Sequence, residues 1–409
     1  MLALLIATLF AFASCSLPHA ECAPRLAKRT LLARAALPDK LSYFMARMDK
    51  LRTSRNDKWD ILIDRSGDLF TQAYSQIFLA DSKKLLNGIN VTFTGEEASD
   101  DGGVRRELLT MLSKEFLRPE RGLLQWRGEY VYLGSSTRMD HFQFLGKVMA
   151  LALLEDVTLD IPFLHSVFNL ILETKVDTRA DLQRIDPELF KHLQYLMRPD
   201  VNAEDLGLDF TYMGYKKKKK RVIDLKPNGS RIPVTEENKA EYVGLYAAAR
   251  TKVGFNLKTQ AEHLVLGFHS LVPLEELKRA GFIARNLDLV IVGRRQIDLS
   301  YLQDSGIVQF WSEVETGSRL SEHHFWNYMG RLSQEGLRQF FNFATGSPRV
   351  PFDYLRIVVK DESERLPTSN TCAKTVYLPN YKKFQTFSEK MDIALRESRG
   401  FDDKAVDNS

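Results

Sequence analysis

Cys372 is the one thiol outside the first 22 positions of this 409-residue chain, and it stands in the stretch Leu366-Pro-Thr-Ser-Asn-Thr-Cys372 near the carboxyl end. A thiol attacks acyl groups as its thiolate, and a free cysteine near its reference pKa of ~8.5 is a few per cent ionised at neutral pH, a fraction that already reacts. Lys360, Arg365 and Lys374 flank it and favour the anion if they approach it. The other reading of a free cysteine is a small buried hydrophobe. Thr368, Ser369, Asn370 and Thr371, with prolines at 367 and 379, argue for a loop and so for the reactive reading.

Other chemistries find less support. The eight histidines form no ligand cluster, His323 and His324 point apart on a helix, and neither CxxC nor HExxH occurs, so no metal is expected. Asp100-Asp101 precede Gly102-Gly103 and read as a turn and helix cap rather than an acid–base pair. The chain has no phosphate-cradling GxxxxGK[ST] loop, and no cofactor is expected. A cysteine hydrolase would need a histidine base, and no histidine follows Cys372.

The bulk of the chain supplies positioning for that thiol. At 44% hydrophobic and 27% charged it can bury a large core and build more than one unit. A net charge of +4, set against 57 basic and 53 acidic residues, makes no global case for nucleic acid or membrane, which leaves proteins as partners. Leu2 to Ala13 is apolar apart from Thr8; signal peptide, membrane tether and incidental extension are all open for it. Two of the three cysteines, Cys15 and Cys22, lie in this leader, so no disulfide framework is expected.

Periodicity predicts amphipathic helices over residues 30–55, interrupted near Pro38, a strand at Trp59 to Asp64, a helix at Ser66 to Leu79 and a strand at Asn90 to Thr94. Helices follow at Val104 to Leu117, His141 to Leu154, Phe163 to Leu172 and Glu188 to Met197. Leu208 to Tyr215 and Lys220 to Leu225 read as a hairpin whose Lys216–Lys220 run is a solvated end rather than an import signal. Glu236 to Arg250 and Lys258 to Val272 continue the helices, and Gly293-Arg-Arg-Gln296 is a candidate hinge. Beyond it come helices at Ile297 to Leu302, Phe325 to Phe343 and Phe387 to Ser398, with strands at Tyr354 to Val359 and Thr375 to Leu378.

Leu366-Pro-Thr-Ser-Asn-Thr-Cys372 with Leu378-Pro-Asn-Tyr381 resembles the catalytic-cysteine motif of the HECT-domain ubiquitin ligases. Gly102-Gly-Val-Arg-Arg-Glu107, Phe144-Leu-Gly-Lys147, Leu225-Lys-Pro-Asn-Gly229, Ile232-Pro-Val-Thr-Glu-Glu-Asn238 and Phe343-Ala-Thr-Gly-Ser-Pro-Arg349 resemble that family too, in its order. The resemblance implies an α+β, bilobal fold: after a leader (1–30) and a helical lead-in (31–56), a larger, mainly helical N-lobe (57–292), a hinge (293–296), a smaller α/β C-lobe (297–401) and an acidic tail (402–409). It implies that Cys372 accepts ubiquitin from a conjugating enzyme as a thioester and passes it to a substrate lysine. Thr371, Asn370, Phe401 and Asp402 would support it, with Asp403 beside Asp402. Conjugating-enzyme contacts would fall on Leu189, Leu193, Leu208, Tyr242 and Tyr246, which at helical spacing also read as core. A cytoplasmic domain follows, since the family's donor enzymes use cytosolic ATP, membrane-tethered if residues 2–13 anchor it.

The chain departs from the family at Asn370, where histidine is common, at Ala373, for phenylalanine, and at Lys374, for asparagine. Ser300 to Ser321 does not match, and the chain runs past Phe401 to Ser409. The different-class alternative is therefore a catalytically silent module that binds conjugating enzyme or ubiquitin. The substrate is not legible.

Overall fold

The structure, a computed structural model, describes residues 35–54, 56–96, 103–216, 219–251, 257–294, 296–313, 318–351, 354–371 and 373–397. The leader, the acidic tail with Phe401 and Asp402, the Asp100-Asp101 turn and Cys372 itself lie outside them.

The first element of the described residues is α1 (Leu37–Asp49), which starts beside Pro38, where the sequence predicts an interruption; residues 30–34 before it lie outside the described residues. Pro38 falls in its first turn, where a fixed φ and a missing N–H cost nothing. Leu41, Phe44 and Met48 bury one stripe. Buried Lys40 donates to the Gly281 carbonyl at 2.8 Å, and Arg47 holds Glu276 with two hydrogen bonds of 2.8 and 2.9 Å. Strand β1 (Trp59–Ile63) pairs in parallel with β2 (Ile89–Phe93). Between them lie α2 (Leu69–Ala73), which runs into a π-helical turn at Tyr74–Phe78, and α3 (Ser82–Leu86). The predicted helix from Ser66 thus starts three residues late, capped by Asp68.

Helix α4 (Gly103–Leu117) leads to a hairpin absent from the sequence reading, β3 (Leu124–Arg127) and β4 (Tyr130–Leu133), turned by Gly128 at positive φ. Then come α5 (Met139–Leu154), buried along nearly its whole length, α6 (His165–Ile171), α7 (Thr178–Ile185) and α8 (Pro187–Leu196). The antiparallel hairpin β5 (Thr211–Lys216) and β6 (Lys219–Asp224) precedes α9 (Lys239–Thr251), α10 (Lys258–His269), α11 (Leu274–Arg279) and α12 (Ala284–Ile291).

Past Gly293 the chain forms α13 (Leu299–Asp304), β7 (Val308–Ser312), α14 (Ser318–Met329), α15 (Gln334–Thr345), β8 (Leu355–Lys360), β9 (Thr368–Asn370), β10 (Thr375–Pro379) and α16 (Phe384–Glu397). The single helix expected over Phe325 to Phe343 is two, because Ser333 caps a new one by accepting from Gly336 N at 3.2 Å. The sheet runs β7-β8-β10-β9, its first three strands parallel and β9 antiparallel.

The buried apolar side chains of the described residues fall into three clusters. One takes residues from α1 through α6 and from α10 to α12. A smaller one gathers Leu182, Leu193, Leu196, Phe210, Tyr242 and Val243 among others. A third begins at Ile297 and is built only from residues past Gly293. No helix of the described residues is long and apolar enough to cross a membrane.

Candidate active site

The connection that carries Cys372 is short. β9 and β10 pair antiparallel with Asn370 opposite Thr375, which leaves residues 371–374 to turn the chain. β9 is a strand where the polar residues suggested a loop; pairing with buried β10 imposes the extended backbone on Thr368–Asn370. Among the described residues, Ala373 N donates to Asn370 Oδ1 at 3.0 Å and Lys374 N to the Thr371 carbonyl at 3.3 Å, closing the turn. Lys374 takes φ +47°, the left-handed region in which asparagine sits at less cost than lysine.

Residues far away in sequence hold both sides of this connection. Arg106, on α4, donates through Nη1 to the Thr371 carbonyl and at 3.4 Å to that of Thr345. Lys374 Nζ meets Asp156 Oδ2 at 2.8 Å. Nearby, Arg349 pairs with Asp160 and the Thr158 and Ser347 hydroxyls are 2.5 Å apart. Neither Asp156 nor Asp160 is marked by any motif of the sequence, and Arg106 is marked only as part of Gly102-Gly-Val-Arg-Arg-Glu107. Thr371 contributes its carbonyl to these contacts.

The five residues expected to contact a conjugating enzyme gather around the cluster at residues 182–247. Leu193 and Tyr242 belong to its buried interior, while Leu189, Leu208 and Tyr246 pack on it half-buried. Tyr242 stands edge-on to Phe210 at 5.5 Å and to Tyr246 at 5.6 Å, and burial pushes its hydroxyl up to about 12. Leu193 also lines a cavity of about 420 Å³ with Leu182, Phe190, Met197 and Val243. Leu208 lines a separate one with Pro233 and Val234. Asp181, completely buried beside Leu182, receives Ser166 N at 3.3 Å and the Ser166 hydroxyl, so the cluster is tied to α6; burial pushes this carboxyl up to about 6. Among the described residues no group of His, Cys, Asp and Glu could hold a metal ion.

The model of the HECT-domain (ubiquitin-transferase) family matches residues 110–404, and the chain belongs to that family. Over 357 residues it is 28% identical to a probable E3 ubiquitin-protein ligase hulA of Aspergillus fumigatus, an alignment covering 82% of this chain and 43% of that protein. It is 30% identical over 359 residues to the E3 ubiquitin-protein ligase Smurf1 of Drosophila melanogaster, covering 82% and 33%. With the E3 ubiquitin-protein ligase RSP5 of Emericella nidulans it shares 27% over 357 residues, covering 82% and 42%. The chain spans less than half the length of these relatives.

Proposed function

We propose that the chain is a HECT-type ubiquitin-protein ligase working through a thioester on Cys372. Family membership, with a lone cysteine in the β9–β10 connection of the matched span, carries this reading. In the first step Cys372 Sγ attacks the thioester carbonyl of ubiquitin held on a conjugating enzyme. A new carbon–sulfur bond forms, the old one breaks, and the departing thiolate takes up the proton Cys372 gave away. In the second a substrate lysine amine attacks the new thioester, an isopeptide bond forms, and Cys372 returns to its thiol with the amine's proton.

Exchanging one thioester for another is close to even in free energy, so the protein's task is to bring the sulfurs within reach and in line. Two lobes, residues 57–292 and 297–401, joined by a hinge at 293–296, serve that task. A third apolar cluster built wholly past Gly293 is consistent with a separable C-lobe. The groove of the first lobe would receive the conjugating enzyme at Leu189, Leu208 and Tyr246, with Leu193 and Tyr242 supporting them from below. Thr371 orients the thioester through its backbone, and Phe401 and Asp402 complete the site from the tail.

A charging assay tests this. Incubated with activating enzyme, conjugating enzyme, ubiquitin and ATP, the chain is expected to form a thiol-sensitive ubiquitin adduct, lost in Cys372→Ala and thiol-resistant in Cys372→Ser. If the wild type stays unloaded in a mixture that charges another ligase of the family, the chain is a silent module instead.

A further inference from the structure

Resting on that reading of Cys372, a second question is what holds the cysteine-bearing connection still while a substrate amine attacks. Besides its neighbours past the hinge, the connection at residues 371–374 receives polar contacts from the region before it. Arg106, 9% exposed, reaches the carbonyl of the residue before Cys372. Asp156 takes the ammonium of Lys374, two residues after it. Asp160 takes the guanidinium of Arg349, and Thr158 meets Ser347. Arg106, Asp156, Thr158, Ser347, Arg349 and Lys374 line one small gap, so these contacts share a single seam. Gly293 is fitted into the same seam: it sits at φ +77°, and a Cβ there would stand 2.8 Å from Arg349 Cβ.

Two features give these contacts a direction. They bracket Cys372 in the chain, fixing the backbone on either side of the reacting residue, which is the preorganisation a bimolecular attack requires. Their acids are half in water, Asp156 at 41% and Asp160 at 42% side-chain exposure, while Lys374 and Arg349 are at 10% and 5%. Ion pairs of that kind are modest and salt-screened, suited to being made and broken once per turnover. The residues expected to contact a conjugating enzyme lie on α8, on α9 and before β5, elements that contribute nothing to this contact.

We propose that the pairs Lys374–Asp156 and Arg349–Asp160, together with Arg106 on the Thr371 carbonyl, form a charge lock. It holds the Cys372 connection against α4 and the 156–160 segment for the second half-reaction, and opens for the first. Lys374, which stands where the family often has asparagine, is this chain's own positioning residue.

The full chain tests the lock in single-turnover experiments that separate loading from discharge onto free lysine. Asp156→Asn with Asp160→Asn is expected to load at least as fast as the wild type and to discharge at least about fivefold more slowly. Between about 0.1 M and about 1 M salt, where the screening length falls from ~10 to ~3 Å, wild-type discharge is expected to slow and the double variant's to change little. The charge swap Asp156→Lys with Lys374→Asp should recover discharge relative to either single change, a rescue that a merely structural role would not give. Amide hydrogen exchange at residues 155–161 in unloaded protein reports the contact without any activity and is expected to rise in the double variant. Faster loading and faster discharge together would make the contact a resting brake and overturn the proposal, as would unchanged discharge or unchanged exchange. A wild type that loads while the variants discharge normally sinks the lock alone; a wild type that never loads sinks the Cys372 reading as well.

Discussion

A methyl group added at Gly146 is expected to cost this chain about 3 kcal/mol. Helices α5 and α10 cross backbone to backbone at two glycines: a Cβ at 146 would stand 2.0 Å from the Leu264 carbonyl oxygen and 2.8 Å from Phe268 N, and one at 267 would stand 1.9 Å from the Gln143 carbonyl oxygen. These are main-chain atoms and cannot rotate away. To restore even 3.0 Å the helices must part by about 1 Å, and a gap of that size forfeits a quarter to a half of the dispersion attraction of each pair across the crossing. Phe144, Leu145, Val148, Leu264 and Phe268 all pack there, each fully buried. Overpacking of a core costs 1–3 kcal/mol and at times more, and the enforced backbone shift puts Gly146→Ala at the upper end, about 4, less about 1 kcal/mol that alanine gains over glycine in a helix. Gly244, in α9, is the control, since a Cβ there meets nothing within 4 Å; Gly244→Ala should stabilise by about 0.5–1 kcal/mol. Thermal unfolding measures both: a melting temperature lower by about 6 °C for Gly146→Ala, and one at or above the wild type for Gly244→Ala. A Gly146→Ala protein that melts with the wild type would refute the close crossing.

The outer edge of β1 is closed by two side-chain amides one helical turn apart. Gln76 accepts from Leu62 N at 2.8 Å and donates to its carbonyl at 2.7 Å, and Gln72 does the same for Asp64 at 2.8 and 2.9 Å. Gln72→Ala with Gln76→Ala should cost about 2–3 kcal/mol and open a strand edge to self-pairing, seen as concentration-dependent light scattering; a variant that stays monodisperse and fully stable would count against it. Asp181 gives a pH signature. Its folded carboxyl sits at about 6 against an ordinary 3.8, so between those values the folded chain binds the proton more tightly than the unfolded one, and stability rises as pH falls from about 6 towards about 4. A shift of that size corresponds to at most about 3 kcal/mol. Asp181→Asn should therefore melt higher than the wild type at pH above about 7, with the advantage shrinking as pH falls to about 4; a constant difference across that range would refute the buried-acid account.

What could be read from the sequence was mostly what sits in one continuous apolar run. Helix α5 was legible from Phe142 to Leu151, and Phe144-Leu-Gly-Lys147 acquires reasons in the fold: Gly146 makes the helix crossing, and Lys147 Nζ donates to the Phe78 and Ala80 carbonyls at 3.0 and 3.1 Å. The β3–β4 hairpin escaped because its strands are four residues each, too short for alternation to register, although Gly128 marked the turn. The break at Gly330 was hidden by apolar residues on both sides of it. The bracing of the Cys372 connection was illegible for a different reason. Arg106 and Thr371 are 265 positions apart, Asp156 and Lys374 are 218, and no periodicity links residues at that separation.

The departures beside Cys372 bear on how such a site would work. Asn370, where the family often has histidine, is engaged through its side chain in closing the turn on Ala373 N, and Lys374 is engaged with Asp156. Among the described residues within the connection, Thr371 contributes its carbonyl and Ala373 has no titratable group, so none of them is a free base for an incoming lysine. A transfer through Cys372 as proposed must then rely on holding the acyl carbonyl still, with the amine's proton passing by way of water or a group brought in with the substrate to the departing Cys372 thiolate. Rate differences among variants of these residues should accordingly follow the rigidity of the connection and its salt dependence, and not the pKa of a side chain within it.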